Sequence, residues 1–190
     1  MRKEKNARKF NRVKKIQFGF FRAGPEWGAA AWTAHGLSAL VLPRKTKEQA
    51  LRGLYEVLPP APESFWKARA SDVSPDIPVQ ARRALKGKPF RFSDFDLFFL
   101  TPFQQSVLAA TCRIPWGQYR TYGWVAKKAG SPRGFRAAGQ ALNRNPVALL
   151  IPCHRVIAGG NRLGGYGGNL EWKIKLLKRE GIRVNQGLVT

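Results

Sequence analysis

A cysteine stands directly before a histidine in the run Ile151-Pro152-Cys153-His154-Arg155-Val156-Ile157. A thiol is a strong nucleophile only as the thiolate, and a nearby imidazole or positive charge promotes loss of its proton. Pro152 and the apolar flanks imply a rigid, sheltered thiol, and burial alone would raise its pKa and leave it inert. Something must take the proton, and His154 is the only histidine close in sequence; the other, His35, is remote. The apolar run Val147-Ala148-Leu149-Leu150-Ile151 reads as a strand leading to the cysteine. Neighbours on an extended segment point to opposite sides, so thiol and imidazole need a water or a backbone bend to communicate. Taken alone, the pair reads more readily as a buried cysteine beside a surface histidine.

The formal net charge is +23. Residues 1–15 hold eight Lys/Arg against Glu4, and residues 112–190 hold fourteen against Glu171 and Glu180. A basic arm and a basic C-terminal half are the footprint of a protein that meets a polyanion, nucleic acid first. No run of eighteen apolar residues exists to span a membrane. The charged N-terminus has no apolar stretch behind it, so it is not read as a secretory signal, and an intracellular location is expected. Cys112 and Cys153 are the only cysteines. They allow a disulfide by count, but free thiols are expected inside a cell. No ligand spacing for a structural zinc occurs, and no metal is expected.

The elements around the motif suggest an α+β protein. Residues 1–15 read as a basic, flexible arm, 16–95 as an N-terminal α/β domain, and 96–185 as a mostly helical C-terminal domain. IQFGFF, WGAAAWTAHG and LSALVLP are short aromatic and β-branched runs broken by Gly and Pro, which predict three antiparallel strands. Thr46 caps an amphipathic helix, KEQALRGLYEVL, and residues 59–64 form a loop. A second helix is expected over 78–86 with Pro78 in its first turn. Thr101-Pro102 opens the helix FQQSVLAATCRI, where Cys112 reads as a small buried apolar residue. TYGWVAKKAG and SPRGFRAAGQALNRN are two short helices split by Gly130-Ser131-Pro132, the spacing of a helix-turn-helix. Its second helix is expected to carry Arg133, Arg136 and Arg144.

The motif Ile-Pro-Cys-His-Arg-Val-Ile, with Asn145-Pro146-Val147 before it and Gly164-Gly165-Tyr166-Gly167-Gly168 after it, resembles the O6-alkylguanine-DNA alkyltransferase family. Phe103 to Leu108, Ile114-Pro115-Trp116-Gly117, Thr121-Tyr122 and the segment Leu170–Gly181 extend the likeness over roughly residues 98–182. The resemblance implies single-turnover direct repair: the cysteine takes the alkyl group from O6 of guanine, and O4 of thymine is a second candidate. It implies no cofactor and no metal, and a monomer acting on double-stranded DNA that contains O6-alkylguanine. Carried over, Cys153 is the nucleophile, His154 its base through a water, and Glu180 the residue that orients His154. A stacked guanine must be extruded to react. Arg136 matches the finger that fills the vacated space, Tyr122 the tyrosine that turns the nucleotide out, and Asn145 the hinge. Arg155 is expected to tie down local structure or touch DNA, Val156 to line the base site, and Gly167 to offer a backbone N–H to O6 from a closing glycine loop, 164–168. Gly167 replaces a serine of several members and Ala148 a proline of some, which leaves the pocket open to bulkier alkyl groups.

Two other readings use the same residues. One is a binder of alkylated DNA that does no chemistry, although such relatives lack the cysteine that Cys153 supplies. The other is a cysteine hydrolase built on Cys153, His154 and Glu180, for which no oxyanion-hole motif is apparent. If the basic arm supplies nonspecific phosphate contacts, deleting residues 1–15 flattens the dependence of log K for DNA on log salt. An unchanged slope in a fluorescence-anisotropy titration would remove the arm from DNA binding.

Overall fold

The computed structural model describes residues 16–58, 66–68, 76–167 and 169–190. The basic arm, the 59–64 loop and Gly168 lie outside the described residues. The fold is α+β, as expected, and the chain forms two compact units. The first comprises residues up to Arg82 with Arg91–Leu100 and Pro146–Leu150; the second comprises Arg83–Phe90, Thr101–Asn145 and Ile151–Thr190.

In the first unit, β1 (Ile16–Ala23), β2 (Glu26–Thr33) and β3 (Gly36–Arg44) form an antiparallel meander. The sequence reading missed β4 (Trp66–Ala68), which pairs parallel to β1 and gives the order β3-β2-β1-β4. Alternation places Ile16, Phe18, Ala29, Ala31, Ala39 and Val41 in one core with Ala50, Leu54 and Leu58. The last three come from or just after α1 (Lys47–Val57), whose cap is Thr46, with its side chain accepting from the Gln49 N–H. Small residues on β2 and Gly53 on α1 let helix and sheet approach closely; a Cβ at Gly53 would lie 2.8 Å from Val41 Cγ1. The second helix, α2 (Asp76–Leu85), starts two residues before the expected 78, with Pro78 still in its first turn, where no intrahelical N–H is needed.

The run 147–151 is not a strand. Val147 makes an isolated bridge to Leu40, the Leu40 N–H donates to the Pro146 carbonyl at 2.8 Å, and Leu149 turns the chain at φ 85°. An unbroken apolar run signals burial, and periodicity alone does not separate a strand from a buried turn. The prolines at 146 and 152 lack the N–H groups a ladder requires.

In the second unit, α3 (Pro102–Cys112) opens with a capping box between Thr101 and Gln104. α4 (Tyr122–Lys128) and α5 (Phe135–Asn143) form the helix pair. Arg136 lies on α5, but Arg133 precedes that helix and Arg144 is its C-cap, because the first turn only begins after Gly134. Cys112 ends α3 on its exposed side and is a free thiol, which corrects its assignment to the core. Crowding by protein still pushes it up to about 11, against the opposing charge of Arg155. β5 (Arg120–Thr121) pairs parallel with β6 (Val156–Ile157), and α6 (Leu170–Arg179) closes the unit with the hairpin of β7 (Val184–Asn185) and β8 (Leu188–Val189). Ile157, Leu163, Leu177, Ile182 and Val189 share its core.

Gly36 shows how tightly the first unit is joined. It has φ 138°, and a Cβ there would lie 2.3 Å from the Asp94 carbonyl oxygen. That carbonyl accepts from the Leu37 N–H at 2.7 Å, and the Asp96 N–H returns a bond to Leu37 at 3.0 Å. Gly36→Ala is expected to cost about 2 kcal/mol or more, since strain and a backbone clash add. Urea unfolding of the variant checks this; an unchanged midpoint would refute it.

Candidate active site

Cys153, His154 and Arg155 form one turn of 3₁₀ helix directly after Pro152. The Arg155 N–H donates to the Pro152 carbonyl at 2.9 Å and the Cys153 N–H to Ile151 at 2.8 Å. The turn replaces the extended geometry expected from sequence. All three side chains are buried.

Glu180 organises the site. It caps α6 at the C-terminal end, where a free negative charge is unfavourable. Here the charge is matched. His154 Nε2 lies 2.8 Å from Glu180 Oε1, Arg155 Nε donates to Oε2 at 2.8 Å and Nη2 to Oε1 at 2.9 Å. The Gly117 N–H adds a fourth contact at 3.2 Å. Burial on its own would raise the Glu180 pKa, but the bonds and charges of His154 and Arg155 outweigh it and hold the carboxyl at about 2.

His154 is 1% exposed, and burial lowers its pKa despite the opposing pull of Glu180. Neutral imidazole is therefore the form at pH 7, with its hydrogen on Nε2 donated to the carboxylate. Nδ1 then keeps its lone pair and has no hydrogen-bond partner among the described residues. Burial also raises the Cys153 pKa, against stabilisation of the thiolate by Asn145, Lys173 and Tyr166. Asn145 Nδ2 donates to Cys153 Sγ at 3.1 Å and to the Ile151 carbonyl at 3.0 Å. At neutral pH the site thus holds a protonated thiol, a neutral imidazole and a fixed carboxylate. A thiol and an imidazole on one turn, with a carboxylate holding the imidazole, are groups that could serve as nucleophile, base and orienter.

Two residues escaped the sequence reading. Lys173 is completely buried, and its ammonium donates to the carbonyls of Val156 at 2.7 Å, Leu163 at 2.5 Å and Gly165 at 3.2 Å. Burial lowers its pKa to about 8, with the Cys153 charge acting the other way. Its signal was readable: Lys173 shares a helix face with Leu176 and Leu177. Tyr166 has a buried hydroxyl with no partner in hydrogen-bonding geometry among the described residues, yet it lies close enough to Cys153 for each to shift the other's ionisation. Burial is the main reason the Tyr166 pKa stands well above the phenol range.

The other expected residues separate into two groups. Tyr122 begins α4 half-buried, donates to the Gly165 carbonyl at 3.2 Å, and lies 5.9 Å from the Lys173 ammonium measured at its ring. A Cβ at Gly164, where φ is 68°, would come within 2.9 Å of that ring, so the loop needs glycine there. Arg136 is exposed on α5, and Gly167 is exposed at φ 49°. Arg155, expected to tie down local structure or touch DNA, and Val156, expected at the base site, are 5% and 0% exposed. Arg155 is consumed by Glu180 and by the Ile114 carbonyl at 2.8 Å, and Val156 is a core residue of β6. Their side chains support the site from inside. Among the described residues no group of His, Cys, Asp or Glu could hold a metal, and no helix is long and apolar enough to cross a membrane.

Fold and site together define an α+β protein with a buried cysteine backed by a histidine–carboxylate pair behind a helix-turn-helix. Residues 102–182 match the family model described as 6-O-methylguanine DNA methyltransferase, DNA binding domain. The methylated-DNA–protein-cysteine methyltransferase of Methanosarcina mazei is 51% identical over 80 residues, covering 42% of this chain and 51% of the relative. That of Mycobacterium leprae is 49% identical over 80 residues, covering 42% and 48%. The chain thus matches about half the length of these curated relatives. Solved structures extend the likeness. A variant of the Mycobacterium tuberculosis O6-methylguanine methyltransferase superposes with TM-score 0.67 at 30% identity, over 87% of this chain and 92% of that one. The M. tuberculosis protein in complex with DNA gives TM-score 0.67 at 28% identity, over 87% and 93%. The chain belongs to the methylated-DNA–protein-cysteine methyltransferase family, the O6-alkylguanine-DNA alkyltransferases.

The Glu180 carboxylate contributes stability that is complete above its unfolded pKa and lost as pH falls toward about 2, because its folded pKa is depressed. Glu180→Gln leaves the Arg155 charge buried without its counter-ion, at a cost of about 3–5 kcal/mol. Chemical unfolding at pH 7 reads this loss, and the variant's acid limb flattens. Lys173→Met removes the positive charge near the thiol, so Cys153 should react more slowly with iodoacetamide at pH 7. Its pH–rate profile should move to higher pH. An unchanged profile would show that Lys173 does not act on the thiol.

Proposed function

We propose that this protein repairs DNA directly, moving an alkyl group from O6 of guanine to Cys153 in one irreversible turnover. The carrying observation is the buried thiol on one turn with an imidazole whose Nε2 lies 2.8 Å from the Glu180 carboxylate. Such a site needs its base, because burial keeps the thiol protonated at pH 7. The proton leaves Sγ for His154 Nδ1 through a water, Glu180 stabilises the imidazolium that forms, and Asn145 and Lys173 stabilise the thiolate. Sγ then attacks the alkyl carbon. The S–C bond forms, the C–O6 bond breaks, its electron pair goes to the guanine, and the proton taken up by His154 passes back through water to give neutral guanine and neutral imidazole. The thioether has no leaving route, so the protein is consumed.

Delivery of the base falls to the helix pair. α5 enters the minor groove, Arg136 fills the space of the extruded guanine, and Tyr122 turns the nucleotide and meets the base in the pocket. Burial raises the Tyr122 pKa, so its hydroxyl keeps its hydrogen at neutral pH. Asn145 joins α5 to the cysteine turn as a hinge, and the loop at Gly164–Gly167 closes over the base with the Gly167 N–H toward O6. Arg155 holds Glu180 in place. The partner is double-stranded DNA bearing O6-alkylguanine, met by a monomer in the cytoplasm, on the nucleoid, or in a nucleus.

Incubation with a duplex containing one O6-methylguanine should place one methyl on the peptide holding Cys153, read by mass spectrometry, and Cys153→Ser should take none. Tight lesion binding without modification would establish a non-catalytic binder instead. Repeated turnover on an ester or amide would establish a hydrolase.

A further inference from the structure

The start of α5 presents an apolar ring that neither the core nor the reaction above uses. Phe135 is the first residue of the helix and is 50% exposed. The buried residues of α5, Ala138, Ala141 and Leu142, lie further along, so the ring projects beyond the packed part of the helix. Its neighbours Arg133, Arg136 and Ala137 are also exposed. The Arg136 guanidinium carbon stands 5.5 Å from the Phe135 ring centroid, within cation–π range. The N-cap, Gly134, supplies no capping side chain. The tip of α5 thus offers an exposed aromatic ring beside the Arg136 cation, with the exposed Arg133 two residues before the ring.

That combination suits one type of partner. Proteins that enter the minor groove commonly insert an apolar wedge between base steps beside arginines that track the groove. An aromatic ring stacks on any base, because every base has a π-face. An exposed ring costs little conformational entropy to order, having only two rotatable bonds. We infer that Phe135 is a second probe residue: it stacks on the base pair next to the one Arg136 disrupts and slows return of the extruded guanine. This rests on the reading of α5 as the helix that enters the groove. The ring also keeps the Arg136 guanidinium beside it before contact, so both groups enter together. The result is a positioning role confined to duplex substrates.

The test compares the parent with Phe135→Ala and Phe135→Trp on two substrates. One is a duplex with O6-methylguanine and 2-aminopurine as the adjacent base; the other is free O6-benzylguanine. The expected result is that Phe135→Ala slows single-turnover transfer from the duplex about tenfold more than transfer from the free base, as loss of one stacking contact implies. Phe135→Trp should restore most of the difference. The aminopurine fluorescence change on binding should be seen with the parent and shrink with Phe135→Ala. Equal slowing on both substrates, or an unchanged fluorescence response, would overturn the inference. If the parent takes no alkyl group from either substrate the repair reading fails, while the fluorescence comparison still decides whether the ring inserts.

Discussion

The carboxylate of Glu180 is the constraint on which the second unit depends. It receives hydrogen bonds from the imidazole of His154, the guanidinium of Arg155 and the Gly117 N–H, all in a buried setting. A carboxylate taken out of water is costly unless its lone pairs and charge are met. Here they are met by two adjacent residues of the cysteine turn and by the chain after α3. One group therefore fixes the end of α6, the 3₁₀ turn and the tautomer of the base. The structural demand on Glu180 and the role proposed for it are one demand, since an imidazole that could rotate would lose its partner.

Around this centre the site holds a second buried charge with a different purpose. Lys173 is surrounded by carbonyl oxygens rather than by a carboxylate. Those bonds fasten β6 and the Leu163–Gly165 segment to α6. Its remaining influence is on Cys153, where positive charge partly offsets the penalty that burial places on the thiolate. Tyr122 leans on the same segment through the Gly165 carbonyl. Groups that would hold a base and groups that tune the thiol therefore share one short stretch of backbone, which explains the need for glycine at 164.

Legibility in the sequence followed the distance between residues. The three-strand meander was readable because its runs alternate and end in Gly or Pro, and α1 because Thr46 precedes a periodic face. β4 was not readable: three residues give no period, and their place is set by pairing with β1. The run 147–151 was misread because apolar character reports burial and not backbone shape. Cys112 was misplaced because it falls on the solvent side of the last turn of α3, next to the buried Ala110 and Thr111.

Within the site, the cysteine and its adjacent histidine could be found by inspection, and Asn145 by its place in the motif. The chain on its own determined that a thiol, an imidazole and a basic helix pair occur in this order, because those are properties of neighbours and of local periodicity. Glu180 as the partner of His154 came only from the family resemblance, and that Arg155 would bind the same carboxylate and a lysine would act on the thiol were decided only in three dimensions. Glu180 is 26 residues from His154 and 25 from Arg155 along the chain. Only folding brings such groups to hydrogen-bonding distance, and only the exclusion of water there makes their charges strong enough to set one another's ionisation.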